Sequence, residues 1–416
     1  MNNLFSVPDD LWTLGEEVEK ECAQPFERIR KIEALRTRQV HRAILDQGVS
    51  ESHFAASTGY GYDDRGRDTL DAVFAQSLGC ETAIVRHHFV SGTHALTVAL
   101  FGILRPGDLL LSCAGKPYDT LDEVIGIAPG GGGSLKEFGV RYEQIDLLPD
   151  GSLNLEAIRA RAPEAKVAYF QRSCGYADRP TLTPEQISQA AEIIRSRSPE
   201  TVVMTDNCYG EFTCETEPCA DVLVGSLIKN PGGGIARTGA YIAGKKACVD
   251  LCAQRLTCPG AGAEVGCSLD EKRGMFLGLF HAPQATANAL RTAVFAARLL
   301  ERLGYTARPD YRQPRADIIQ KVVLGDREKL IRFVQGMQSG APVDAFVRPE
   351  PWDMPGYQDP VIMAAGAFTL GSSIELSCDG PVREPYVAFM QGGIVYEAAK
   401  VGVLMAAAAM RAQRGA

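Results

Sequence analysis

The chain has 416 residues, 45% hydrophobic and 23% charged, with a net charge of −8; these are the proportions of an ordinary soluble globular protein long enough for two domains. The negative balance and the lack of a long basic run argue against nucleic acid as the main partner. Met1–Asp10 lacks the basic start and apolar run of a secretory signal, Val401–Met410 is too short to span a bilayer, and twelve cysteines in so long a chain read as thiols, so a cytoplasmic location with no membrane partner is expected.

Residues 1 to about 48 read as helix-rich: Pro25 suits a first turn, and Ile29, Ile32, Leu35 and Val40 fall near one helical face. A tyrosine- and glycine-rich segment, Thr58–Arg67, follows. Beyond it, apolar runs at Thr82–Val85, Leu109–Ser112, Val167–Gln171, Thr201–Asp206 and Val222–Ser226 alternate with helical patterns. That alternation predicts an α/β fold with a mainly parallel sheet covered on both faces. Gly130–Gly133 reads as a flexible loop. A helix predicted over Gln284–Leu303, ended by Gly304, forms a long connector. Ile318–Leu324 and Ile374–Ser377 read as strands, with a helix near Asp326–Gln338, and Val401–Met410 as part of a docked amphipathic helix. The expected division is an N-terminal helical segment at 1–57, a large domain at 58–295 and a smaller C-terminal α+β domain at 296–416.

Four features carry chemistry. Val90-Ser91-Gly92-Thr93-His94 precedes a helix at Leu96–Leu104, and a small-residue turn at a helix N-terminus presents free N–H groups to phosphate, with the hydroxyls of Ser91 and Thr93 as further donors. Tyr118 follows the next strand, where an aromatic ring can stack on a cofactor. Asp206 ends the run Thr201–Asp206, at the strand end where open α/β sheets bind ligands. Lys229 lies just past the run Val222–Ser226, between the hydroxyl of Ser226 and the cluster Gly232-Gly233-Gly234. A lysine there is costly to bury without a partner. It suits a Schiff base to a phosphorylated aldehyde, with Ser226 on the phosphate and Asp206 keeping a pyridine nitrogen protonated. Taken singly, each feature also suits an ordinary role: an N-cap, a half-buried tyrosine, a helix-capping aspartate, a surface lysine in a glycine turn. Cys208, Cys214 and Cys219 lie close together, but no CxxC pair occurs, and no metal is expected.

Phosphate turn, aromatic, strand-end Asp and strand-end Lys follow the order of fold-type I pyridoxal-phosphate enzymes. Across nearly its whole length the chain resembles the methionine gamma-lyase-like, "aluminium resistance" family, relatives of the cystathionine lyases. The resemblance is carried by TGYGYDDRGR (58–67), SGTHA (91–95), GKPYDT (115–120), SLKEFG (134–139), QRSCGYADR (171–179), DNCYGEF (206–212), SLIKNPGGG (226–234), SIELSCDGPVREPY (373–386) and QGG (391–393). It implies a fold-type I homotetramer, a dimer of dimers with sites at subunit interfaces. Pyridoxal 5'-phosphate would be held as an imine by Lys229, which then shuttles protons. Asp206 would pair with the pyridinium nitrogen, Tyr118 would stack on the ring and assist the leaving group, and Gly92, Thr93 and Ser226 would bind phosphate. Tyr60, Tyr62 and Arg67 resemble a segment that related lyases send into the neighbouring subunit's site. Arg383 is the candidate for the substrate carboxylate, as a bidentate pair or else a structural salt bridge; Arg172 and Ser173 are weaker candidates for the cofactor's phenolic oxygen.

The sequence departs from that family at three amides. His88, beside His87, Leu277 before Gly278, and Leu370 before Gly371 stand where members carry glutamine. If these positions line the pocket, it is less polar and His88 joins the substrate site as an acid or base; drift away from the pocket is the equal alternative. The expected activity is γ-elimination from a γ-substituted L-amino acid, of methionine or cystathionine type. Loss of halide from an unsaturated amino acid to give an alkyne, β-elimination of a thiol, and a non-catalytic pyridoxal-phosphate stress protein are the alternatives.

Overall fold

The computed structural model describes residues 4–5, 7–354 and 359–411, so the extreme ends of the segments expected at 1–57 and 296–416 lie outside the described residues. Seven strands form one sheet: β1 (Thr82–Arg86), β2 (Leu109–Ser112), β3 (Arg141–Gln144), β4 (Val167–Gln171), β5 (Val202–Asp206), β6 (Val222–Ser226) and β7 (Ala240–Gly244), in the order β1-β7-β6-β5-β4-β2-β3. The five strands from β3 to β6 are parallel, and β7 runs antiparallel to both β6 and β1. The C-terminal ends of β1, β2, β4, β5 and β6 therefore meet along one edge, where open α/β sheets bind ligands.

Alternation along each strand explains the layers. Leu110, Val222, Val224 and Ile242 face the helices Gly92–Ile103 and Lys246–Leu256. Leu109, Leu111, Ala168 and Val203 face the helix Pro184–Arg197 through Ile187, Ala190 and Ile194. Leu223 and Tyr241 meet the helix Arg65–Leu78 through Leu70 and Phe74. Apolar on both faces, these strands read as continuous hydrophobic runs.

A second, wholly antiparallel sheet contains β8 (Thr306–Arg308), β9 (Gln320–Val323), β10 (Val361–Ala364), β11 (Ser377–Pro381) and β12 (Val387–Gln391), in the order β10-β11-β12-β9-β8. The helices Arg327–Ser339 and Lys272–Arg302 pack on it, and Tyr396–Arg411 packs against both of these helices. The N-terminal helices Asp9–Glu21 and Ala23–Asp46 do not stand apart: Leu11, Val18 and Ile29 share one core with Leu290, Val294, Val322, Val334 and Val403.

Two expectations are corrected. The long connector begins at Lys272 and carries Pro283 inside it. Met275, Phe276, Leu279 and Ala282 are buried against the large sheet's core, so packing extends the helix through a residue that removes one backbone hydrogen bond. The strand expected at Ile374–Ser377 begins only at Ser377. The carboxylate of Glu375 accepts the N–H groups of Phe368 and Thr369 at 2.8 and 3.0 Å, which ties that stretch to a loop instead of a strand neighbour.

Candidate active site

At the shared strand edge lies a cavity of about 260 Å³, closed on the far side by the small sheet. Asp206 and Ser226 are the last residues of β5 and β6, and both line it. Lys229 lines it too, just before the 3₁₀ turn Asn230–Gly232. Buried Asn230 donates through Nδ2 to the carbonyls of Tyr209 (3.0 Å) and Glu211 (2.9 Å), fastening the lysine loop to the loop after β5. Gly232 permits that turn: a Cβ there would lie 1.7 Å from the Leu227 carbonyl oxygen.

Lys229 Nζ sits 3.5 Å from the centroid of the Tyr209 ring, a cation–π contact. Burial opposes its charge, but the negative potential of Tyr209, Cys208 and Asp206 outweighs that and holds the ammonium above its ordinary value. Asp206 is 6% exposed, and burial raises its carboxyl; the Cys208 N–H at 3.1 Å and the nearby charge of Lys229 offset this only in part. A cationic ligand group beside Asp206 would restore the carboxylate.

The opposite end of the cavity is a cradle for an anion. Ser91 caps the helix Gly92–Ile103, its Oγ accepting the His94 N–H at 3.0 Å, and Thr93 Oγ1 lies 2.8 Å from Thr120 Oγ1. Ser91, Gly92, Thr93 and Ser226 all line the cavity. A Cβ on Gly92 would meet Ser226 Cβ at 3.3 Å, a tight contact, so the glycine brings this turn close to Ser226. Tyr118 forms a side wall, its ring centroid 6.0 Å from that of Tyr176. Ser173 also lines the cavity and donates to Asp317 at 3.0 Å.

Other expected residues lie elsewhere. Arg172 is fully buried and does not line the cavity; its guanidinium donates to Glu217 (2.9 Å) and Asn207 (2.8 Å), so an internal ion pair takes it away from any ligand. Arg67 is buried too, donating to the carbonyls of Gly61 (2.7 Å) and Gly266 (3.2 Å) of its own chain. Tyr60 and Tyr62 are exposed beside it, ring centroids 5.7 Å apart. Arg383 stands outside the cavity, half-exposed, in an adjoining cleft of about 250 Å³, where it pairs with Asp359 at 3.0 Å. His88 lies near Gly266 with its ring 4.0 Å from that of His87, away from the cavity. Leu277 and Leu370 are exposed and do not line it either. The amide replacements therefore leave this cavity polar.

The polar wall was not assigned from sequence. Gln171 at the end of β4 lines the large-sheet side, and Ser377 and Asp379 on β11 and Gln391 at the end of β12 line the small-sheet side. Gln171 Oε1, Ser372 Oγ, Ser373 Oγ, Ser377 Oγ and Asp379 Oδ1 are buried without a hydrogen-bond partner among the described residues. Orphaned polar atoms converging on one space mark a site that takes a polar ligand. The period-two pattern Ser377-Asp379 against Cys378-Gly380 is the signal that places them there. Among the described residues no group of three or more His, Cys, Asp or Glu side chains is arranged to hold a metal, and all twelve cysteines are free.

The methionine gamma-lyase family model matches residues 11–411. A solved structure from Clostridium acetobutylicum, named as a candidate cystathionine beta-lyase involved in aluminum resistance, is 43% identical with a TM-score of 0.95, covering 98% of this chain and 96% of its own. A carbon–sulfur lyase involved in aluminum resistance from Clostridium novyi NT is 45% identical with a TM-score of 0.93, covering 97% of this chain and 96% of its own. The pyridoxal-5'-phosphate dependent protein YhfS of Escherichia coli, at 16% identity, shares the fold with a TM-score of 0.61 over 90% of this chain and 95% of its own. The mostly parallel sheet with its small antiparallel partner is thus the fold-type I architecture of pyridoxal-phosphate enzymes.

Proposed function

This chain belongs to the methionine gamma-lyase family, and on that premise we propose that it is a pyridoxal 5'-phosphate-dependent lyase eliminating a sulfur-linked group from Cγ of an L-amino acid. One observation carries the reading: the amine of Lys229 and the carboxylate of Asp206, from the ends of adjacent strands, open into one buried cavity. The residues present fit the cofactor. An amine, a carboxylate raised by burial, a helix N-terminus with flanking hydroxyls and an aromatic wall match its aldehyde, ring nitrogen, phosphate and ring.

When bound, the cofactor supplies an electron sink for negative charge developing at Cα. Lys229, whose amine opens into the cavity, would hold the cofactor and would take the Cα proton of a bound substrate. Asp206, ionised by a cationic ring nitrogen, would keep that nitrogen protonated. Lys229, having passed on the first proton, would take a second from Cβ before the Cγ–S bond breaks, and Tyr118, which lines the cavity, would hydrogen-bond the departing sulfur. Buried walls exclude water from these transfers.

Exposure of Tyr60 and Tyr62 supports their reaching a neighbouring subunit's phosphate in a homotetramer. Among the described residues no helix is long and apolar enough to cross a membrane, which agrees with a cytoplasmic enzyme acting on a small amino acid.

The test is cofactor absorbance at the visible edge, followed by product analysis with L-methionine, L-cystathionine and S-alkylcysteines. γ-Elimination releases ammonia, a thiol and 2-oxobutanoate. A colourless protein, or no turnover of any amino acid, would refute the proposal. Pyruvate in place of 2-oxobutanoate would favour β-elimination, the second reading, which the name of the Clostridium acetobutylicum relative supports. The halide reading drew its motive from apolar replacements that do not line this cavity.

A further inference from the structure

A lyase acting on a free amino acid must hold the substrate's α-carboxylate, and this cavity offers no guanidinium for it. Among the described residues Lys229 is the only Lys or Arg lining the cavity, and no histidine lines it. That amine is committed to the cofactor. Arg383 stands half-exposed in the adjoining cleft, paired with Asp359 at 3.0 Å. A carboxylate brought into the cavity must therefore be met by neutral donors, because an unpaired buried charge is costly.

Such donors sit on the loop that leads into β11. Its backbone is fastened: the Ser372 N–H donates to the Thr369 carbonyl at 2.9 Å, the Ser373 N–H to the Ile228 carbonyl at 3.3 Å, and Glu375 holds the N–H groups of Phe368 and Thr369. The hydroxyls are not. Ser372, Ser373 and Ser377 are 3%, 6% and 5% exposed, all three line the cavity, and each Oγ is buried without a partner among the described residues. A hydroxyl shut off from water and left unpaired costs free energy that a ligand's acceptor recovers. Three of them on one short segment, already fixed by other bonds, form a preorganised set. Ile228 immediately precedes Lys229, so the bond from Ser373 anchors this segment beside the residue that the substrate amine must reach. Asp379 shares the wall, where burial favours its neutral form and Gln391, Tyr176 and the charge of Lys229 offset that only in part. A carboxylate ligand nearby would favour the neutral form further, so Asp379 does not repel it.

We infer that the hydroxyls of Ser372, Ser373 and Ser377 bind the substrate's α-carboxylate, so that this site reads that group without an arginine. The inference rests on the lyase reading and deepens it by naming the residues that orient the substrate. Arg383 then remains the salt-bridge partner of Asp359 at the cleft.

The test measures binding, using ligands with nothing to expel. Cofactor-loaded protein is titrated calorimetrically with L-norleucine, which carries the α-carboxylate, and with L-norleucinamide, whose carboxyl is uncharged. In the wild type the acid is expected to bind about 10- to 10²-fold more tightly than the amide, the range for hydrogen bonds to a charged acceptor. In Ser377→Ala and in the double variant Ser372→Ala/Ser373→Ala that ratio falls toward one, while in Arg383→Ala it keeps the wild-type value. A wild-type ratio near one, a ratio that survives both serine variants, or a ratio lost in Arg383→Ala would overturn the inference while leaving the lyase reading intact. Cofactor missing from the serine variants alone would assign these hydroxyls to the cofactor and overturn it too. If the serine variants do not fold, Arg383→Ala decides. Failure of both ligands to bind the wild type would bring down the lyase reading as well.

Discussion

Asp206→Asn removes the negative charge at the end of β5 while changing little else. The substituted side chain still offers an oxygen to the Cys208 N–H, now 3.1 Å from Oδ1, and the volume is conserved. Folding stability should therefore shift by no more than about 1 kcal/mol. Function should suffer far more. Asp206 is 6% exposed, so water does not screen its charge. Removing one member of a buried ion pair costs about 3–5 kcal/mol, which at about 1.4 kcal/mol per decade is a loss of about 10²- to 10⁴-fold in rate. The loss should appear first in Cα–H exchange, because the charge held on the ring nitrogen matters most when electrons leave Cα. The assay is proton NMR of substrate incubated in D2O, alongside 2-oxo acid release and cofactor content. Wild-type exchange in a fully loaded Asp206→Asn protein would refute the assigned role.

Asp64 follows the Tyr60–Tyr62 segment and ties it to Ser57, Ser268 and Lys272. Burial alone would raise its carboxyl, but Lys272, the hydroxyls of Ser268 and Ser57 and the Arg67 N–H hold it well below the usual carboxylate range. A depressed carboxyl contributes stability above its unfolded pKa and loses it as pH falls below about 4. Asp64→Asn should cost about 3–5 kcal/mol at neutral pH, with the gap to wild type narrowing under acid in urea titrations; a gap constant down to low pH would contradict this. Gly175 has φ 54°, and a Cβ there would lie 2.9 Å from the Tyr118 ring. Gly175→Ala should cost about 1–2 kcal/mol from its left-handed backbone, displace Tyr118 and weaken cofactor binding in a spectroscopic titration. Unchanged affinity would argue that Tyr118 does not contact the cofactor.

The large sheet was legible where its strands are buried on both faces. Leu109–Ser112, Val167–Gln171 and Val222–Ser226 are continuous apolar runs ending in a polar residue, and each is a strand with those limits. Arg141–Gln144 was not legible, because this edge strand is polar and only partly buried and exists through its pairing with β2. Ala240–Gly244 is fully buried, but its small residues carry a weak strand signal. In the site, Lys229, Asp206, Tyr118 and the turn at Ser91–Thr93 announced themselves through their positions at strand ends and a helix start. The polar wall did not, since Gln171 of β4 meets Asp379 and Gln391 of the small sheet only after the two sheets pack together. Arg383 drew attention because a guanidinium matches a carboxylate. The run of β11 brings Asp379 into the cavity and carries Arg383 beyond it. Arg172 misled for a similar reason: nothing local reveals that Glu217 neutralises it.

The most direct test of the central claim is borohydride reduction of the protein after incubation with pyridoxal 5'-phosphate, followed by peptide mass spectrometry. A single pyridoxyl phosphate adduct on Lys229 is expected, absent from Lys229→Ala. An adduct on another lysine, or none at all in a protein that nevertheless eliminates thiol, would contradict the account.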